Sequence, residues 1–307
     1  MKLSVDKKSD SKKQVCGFVS IVGLPNSGKS TLMNRYLKEK VSIVSPKPQT
    51  TRSNVTTILS SEKYQVIFID TPGLLRPKYK MQEVMASLIK KAISDSDIIL
   101  LIVDAARFKG QYSTPFVKFA DEIRVKKVIV VLNKIDIIKK EKLLEIIQKT
   151  SVLFPDVEIV PISALSGDGT DILFNEMLEN LPVSCKLYPD NIISTEPERF
   201  FVSEIIREAI FFSTSEEIPY SSGVVIENFE EKIPKVVIHA SILVEKKSQK
   251  PIIIGKNGKT IKDIGTKARL GIEEFLSRKV YLDLHVKVRK DWRNKDVFLR
   301  ETGLKRK

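Results

Sequence analysis

Cysteine, histidine and tryptophan are nearly absent: the 307 residues include two, two and one of them. Cys16 and Cys185 are too few and too isolated for a disulfide framework or a zinc site, so both are read as free thiols. His239 and His285 fall in strand-like runs and are read as packed or surface side chains in preference to catalysts. Trp292 is read as packing the C-terminal helix in preference to stacking on a base. No run approaches the roughly 18 apolar residues of a membrane span. The opening MKLSVDKKSDSKKQ has no apolar stretch for a signal peptide, and the expectation is a cytoplasmic protein with a flexible basic arm, residues 1–14.

Positive charge is plentiful and unevenly placed. The net charge is +14, and Lys232 to Lys307 alone has 21 Lys and Arg against 8 Asp and Glu. Glu196 to Glu231 runs the other way, with 2 against 9. A basic block of that density fits a solvated face, a nucleic acid or an anionic membrane surface.

The hydrophobic pattern divides the chain. From Val15 to Leu181, short apolar runs (VCGFVSIV, YQVIFID, DIILLIVDA, KKVIVVLN, VEIVPIS) alternate with amphipathic stretches. Strands apolar on both faces must be covered on both, so residues 15–181 are predicted as a doubly wound α/β domain with a mostly parallel sheet. Val55–Ser60 and Tyr64–Asp70 are predicted to pair as an antiparallel edge. Residues 182–195, with Pro182 and Pro189 and no periodicity, read as a linker. Residues 196–307 follow as helix, two strands, two helices and a strand, an α+β domain with a C-terminal tail.

Gly23-Leu24-Pro25-Asn26-Ser27-Gly28-Lys29-Ser30-Thr31 fits the phosphate-loop pattern after a predicted strand and before a predicted helix. Its glycines let backbone amides surround phosphates, Lys29 reaches the outer phosphates, and the Ser30 hydroxyl suits Mg2+. Asn133-Lys134-Ile135-Asp136 selects the base. A carboxylate at Asp136 accepts both the ring N–H and the exocyclic amine of guanine, a donor pair adenine lacks. Ser163 and Ala164, after the next strand, would support the ring. ATP-driven phosphoryl transfer is disfavoured on the same ground.

Asp70-Thr71-Pro72-Gly73-Leu74 ends a strand, so Asp70 can reach the metal through water and the Gly73 amide can sense the γ-phosphate. Thr50 and Thr51 lie in the loop that should close over the metal, and their adjacency leaves open which one ligates it. The catalytic set is read as Lys29, Asp70 and Gly73. Leu74 stands where many GTPases have a water-orienting Gln, so slow intrinsic turnover is expected. Asn26 has two readings, a brace for the loop or a ligand for K+, as in related GTPases with this Asn.

Taken together, the residues resemble the Era family of bacterial GTPases. The resemblance runs from Cys16 to Gly303 through GLPNSGKSTLMN, PQTTR, IDTPGL, LNKID, PISAL, SEIIREAIFF, EEIPYSSGVVIE, IIGKNGKTIKDIGTKAR and VKVRKDWRN. It implies a P-loop GTPase domain joined to a type II KH domain that binds small-subunit ribosomal RNA near its 3′ end during subunit maturation. A hydrophobic residue at Leu74 is usual in that family; the extension before Val15 is not part of the pattern. The RNA set is then Gly255, Lys256, Asn257 and Gly258, the G-x-x-G clamp, with Lys259, Lys262 and Arg269 adding charge. The partners expected are GTP or GDP, the small ribosomal subunit and its RNA, and a peripheral contact with the inner face of the cell membrane, with a monomer as the free state.

Overall fold

The computed structural model describes residues 14–38, 42, 43, 47, 49–108 and 126–304. The expected basic arm before residue 14, part of the loop around SPKPQTTR and the last three residues of the tail lie outside that set.

Among the described residues, nine strands form two sheets. The first has the order β2-β3-β1-β4-β5-β6. Its strands are β1 Val15–Gly23, β2 Val55–Ser60, β3 Tyr64–Asp70, β4 Ile98–Asp104, β5 Lys127–Asn133 and β6 Glu158–Ile162. All pairings are parallel except β2 with β3, so the predicted hairpin does supply one antiparallel edge. β4, central and buried at all seven positions, feeds both faces of the sheet. Its Ile98, Leu100 and Ile102 pack with Leu32 and Met33 of α1 (Lys29–Leu37) and with Leu173 and Met177 of α4 (Thr170–Asn180). Its Ile99, Leu101 and Val103 pack instead with Ile89 and Ile93 of α2 (Lys80–Asp95) and Ile146 of α3 (Lys140–Leu153). The two-residue period of a strand thus splits one apolar run between two helical layers.

Residues 182–195 lie along the outer strands. Val183 bridges to Val15, Ser194 to Thr57, and buried Gln65 donates to the Tyr188 carbonyl at 2.7 Å. Tyr188 and Ile192 close over Cys16, Ile58 and Ile67.

The second sheet has the order β7-β8-β9, from β7 Gly223–Glu231, β8 Val236–Val244 and β9 Val280–Val288. β7 and β8 are antiparallel, while β9 runs parallel to β8. One face is covered by α5 (Glu198–Ser213), α7 (Gln249–Ile254) and α8 (Lys259–Leu276), with Ile206, Ile210, Ile253, Ile264 and Ile272 in the core. The short α6 (Ile218–Ser221) joins α5 to β7, and α9 (Asp296–Glu301) closes the chain. Among the described residues, no helix is long and apolar enough to cross a membrane.

Candidate functional site

A cleft of about 300 Å³ lies at the carboxyl ends of the parallel strands, where ligands of such sheets bind. Pro25, Asn26, Gly28, Lys29, Ser30, Thr31, Thr50, Thr51, Gly73 and Lys134 line it, from four separate stretches of sequence. The loop between β1 and α1 needs its glycines for steric reasons. Gly28 has φ 100°, and a Cβ there would fall 2.1 Å from Asn133 Nδ2. A Cβ on Gly73 would meet Pro25 at 2.8 Å, so the two loops touch backbone to backbone.

Lys29 is buried, and its ammonium donates to the carbonyls of Gly23 (3.2 Å) and Leu24 (3.0 Å). Burial pulls its pKa from the usual 10.5 to about 8, with Asp70 acting in the opposite direction. Asp70 is fully buried, and burial raises its pKa against the pull of Lys29 and the nearby hydroxyls. Ser30 donates to Asp70 Oδ2 at 2.7 Å; the Thr51 hydroxyl lies 3.1 Å from Ser30 and 3.5 Å from Asp70 Oδ2. Among the described residues, Asp70 Oδ1 is buried with no hydrogen-bond partner. One carboxylate with an orphaned oxygen beside two hydroxyls fits a hard divalent cation such as Mg2+, which keeps its other positions for water and phosphate. Of the adjacent threonines, Thr51 brings its hydroxyl to this cluster, while the Thr50 carbonyl is held by Arg207.

The base-side residues are joined to the phosphate loop by two side chains, Asn133 and Lys134. Asn133 donates to the Ser27 carbonyl at 2.7 Å and accepts from the Ala164 amide at 2.9 Å. Lys134, at φ 69°, turns back to the Asn26 carbonyl and Asp104, both at 2.7 Å. Asp136 is exposed within the turn Ile135–Ile137, and Ser163 and Ala164 are buried. Thr71 and Leu74 belong to the interior: Thr71 donates to the Ile21 carbonyl at 2.7 Å, and Leu74 packs with Val22, Ile89 and Ile93. Pro72 is buried beside them.

In the second domain, Gly255, Asn257 and Gly258 all have positive φ, at 73°, 52° and 75°. They turn the chain between α7 and α8. Among the described residues, no side chain caps the start of α8, so its first amides are open to an anion. Lys256, Lys259 and Lys262 are exposed around this start. Arg269 is about 16 Å further along the helix axis and pairs with Glu273 at 2.9 Å.

Residues 18–134 match the family described as 50S ribosome-binding GTPase, and residues 217–293 match the KH domain. A crystal structure of a variant of Aquifex aeolicus Era bound to GDP·AlF4 is 39% identical. It matches with a TM-score of 0.91 over 95% of this chain and 99% of that one. A crystal structure of Era in complex with MgGDPNP and nucleotides 1506–1542 of 16S ribosomal RNA is also 39% identical, with a TM-score of 0.90 and the same coverage. The chain belongs to the Era family.

Within this Era-family framework, both nucleotide-side loops touch the KH domain. Tyr79, which precedes α2, lies under the Arg293 guanidinium, 4.5 Å from its ring centre. Met81 and Met85 of α2 pack against Leu243, Trp292, Leu299 and Leu304. Trp292 is therefore a wedge between domains, its indole N–H donating to the Ser221 carbonyl at 2.8 Å. His239 and His285 both face Asp283, at 3.2 and 3.0 Å, on the partly exposed face of the second sheet. Ile43, Gln49 and Arg107 line the nucleotide cleft without having been expected there. Arg107 carried a legible signal, since it follows the carboxyl end of a strand that is apolar up to Asp104. Gln49 carried only its place beside Thr50.

Proposed function

We propose that this chain is a Mg2+-dependent GTPase switch that binds small-subunit ribosomal RNA near its 3′ end through the KH domain and assists small-subunit maturation. The observation that carries the nucleotide half is Asn133: one amide ties the phosphate loop at Ser27 to the base loop at Ala164. Asp136 and Lys29 thereby serve a single ligand. The amides around Gly23–Thr31 hold the phosphates, Lys29 neutralises the outer ones, and Gly73 contacts the γ-phosphate. Asp136 reads guanine, between Lys134 and the Ser163–Ala164 turn. Ser30, Thr51 and Asp70 are the residues that would hold Mg2+, which supplies positive charge to the phosphates when bound. Leu74, packed in the core, cannot orient water. Hydrolysis is then slow without help, on the order of 10⁻⁴ s⁻¹, a barrier near 23 kcal/mol.

The RNA half rests on the turn Gly255–Gly258, the uncapped start of α8, and Lys256, Lys259 and Lys262 around it. Arg269 belongs to the same helix as a more distant contact. A relative crystallised with 16S ribosomal RNA nucleotides supports the identity of the RNA.

Nucleotide competition tests the first half. GTP should displace a fluorescent GDP analogue and ATP should not. Asp136→Asn should weaken GTP by roughly 10²–10⁴-fold, the value of two hydrogen bonds to a carboxylate, and bring xanthine nucleotides into preference. Unchanged GTP preference in that variant would refute the base assignment. Crosslinking in cells with RNA sequencing tests the second half; reads away from the 3′ end of small-subunit RNA would refute it.

Asn26, at φ 63° in the phosphate loop, is the residue that would hold a K+ ion beside the phosphates. Faster turnover in KCl than in NaCl at equal ionic strength is the result expected. Peripheral membrane contact through the basic C-terminal block and a monomeric free state complete the reading, measured by liposome flotation at physiological salt and by sedimentation.

A further inference from the structure

Three consecutive residues, Thr50, Thr51 and Arg52, alternate between the two domains. The Thr51 hydroxyl faces Ser30 and Asp70 in the nucleotide cleft. On one side, the Thr50 carbonyl accepts from Arg207 Nη2, a side chain of α5 in the KH domain. On the other, Arg52 crosses to the KH domain and donates to the carbonyls of Ser222 (2.7 Å), Pro219 (2.8 Å) and Tyr220 (3.3 Å). Consecutive Cα atoms are about 3.8 Å apart. A span pinned at both ends over three residues leaves its middle residue little room, so the position of Thr51 is set by α5 and α6.

We propose that Arg207, a residue of the RNA-binding domain, is a positioning residue for GTP hydrolysis, acting through the Thr50 carbonyl on Thr51. Glu204 aims it. Arg207 Nε donates to Glu204 Oε1 at 2.8 Å and Nη2 to Oε2, so the planar guanidinium is fixed before it meets Thr50. The contact is poorly explained as simple glue between domains. Arg52 and Arg207 are both only 3% exposed, and among the described residues each keeps a buried nitrogen without a partner, Arg52 Nε and Arg207 Nη1. They also carry like charge, and burial strengthens the repulsion between them. A pair chosen only for stability would replace one cation with an apolar side chain. What two arginines supply here is direction, one pulling the loop backbone from each side of Thr51.

The inference rests on the reading of the cleft as a GTPase site, and the experiment separates the two. Single-turnover GTP hydrolysis by the full chain is measured across a Mg2+ titration for the wild type, Arg207→Gln, Arg207→Lys and Glu204→Gln. Affinity for a fluorescent GDP analogue without Mg2+, where Thr51 has no metal to hold, checks the fold of each variant. Arg207→Gln should slow hydrolysis by about ten- to a hundredfold, the scale of misplacing a catalytic group by about 1 Å. Its Mg2+ midpoint should rise several-fold while GDP affinity stays within about twofold of wild type. Arg207→Lys should recover part of the rate, and Glu204→Gln should fall between wild type and Arg207→Gln. A wild-type rate and Mg2+ midpoint in both Arg207 variants would overturn the proposal alone. A wild type that does not hydrolyse GTP would overturn the GTPase reading and this proposal with it.

Discussion

Gly28 and Gly258 each precede a helix, each at a left-handed φ, 100° and 75°. A Cβ on Gly28 would collide with Asn133, whereas nothing lies within 4 Å of a Cβ on Gly258. The nucleotide loop is thus a packed part of the sheet edge, with its lysine buried and its backbone tied by Asn133 and Lys134. The RNA loop stands in solvent, ringed by exposed lysines. On the proposed assignment, GTP is selected by fit and burial and RNA by charge at an exposed turn. Salt should therefore weaken RNA binding steeply and GTP binding little.

The contrast is easiest to break at Gly28. Gly28→Ala combines a strained φ, about 1–2 kcal/mol, with loss of the Asn133–Ser27 bond, about 1 kcal/mol or more. Together these should weaken GTP by about a hundredfold in a fluorescent-analogue titration. Near-normal GTP affinity would mean that the loop is not packed as described. Changing Lys256 and Asn257 both to Asp attacks the other region, replacing one positive charge with two negative ones. RNA affinity should fall by about two orders of magnitude, with the log–log salt slope reduced by about 0.7 for each lost phosphate contact, while GTP affinity holds. Undiminished RNA binding would assign recognition to the rest of the basic surface.

A smaller effect follows from burial of Lys29. Its pKa near 8 lies below the usual 10.5, and an adjacent phosphate would raise it again, so above pH 8 binding must take up a proton. GTP affinity should be level below pH 8 and fall by up to about tenfold per unit above it. Stability of the nucleotide-free protein should change in the opposite sense. The unfolded chain keeps this proton up to about pH 10.5, so Lys29 makes folding more favourable as pH rises from 8. A flat affinity profile to pH 9.5 would show that Lys29 stays charged in the free loop. The smallest effect is expected from Gly258→Ala, whose cost is the left-handed φ alone, about 1–2 kcal/mol. A few-fold loss of RNA affinity is expected; a loss as large as that of the double Asp variant would mean that the turn is packed after all.

Much of this architecture could be read from local pattern. Apolar runs such as Ile98–Val103 became strands because every position is buried, and the phosphate loop announced itself because only glycine fits where Ile102 crowds Gly23 and Asn133 crowds Gly28. What escaped the sequence is what depends on distant partners. Residues 182–195 have no periodicity because they are held by buried Gln65 and isolated bridges to the sheet edge. Trp292 gave no sign that its packing partners would be Met81 and Met85, some two hundred residues earlier. Arg52 and Arg207 read as ordinary basic residues until the fold brings their guanidinium groups to backbone carbonyls of the opposite domain. Helix and strand periods encode burial within an element; they carry nothing about polar contacts between domains.

If the loop carrying Thr50, Thr51 and Arg52 joins the two domains as proposed, nucleotide state and RNA binding are linked through it. Linkage is reciprocal, so whatever RNA does to nucleotide affinity, nucleotide must do to RNA affinity. The direct measurement is the affinity of the full chain for an RNA of the 3′ small-subunit sequence, with saturating GDP and with saturating non-hydrolysable GTP analogue, at one fixed salt concentration. Tighter RNA binding with the GTP analogue, by about 5–150-fold, is the result predicted. Equal affinity in the two states would contradict the account.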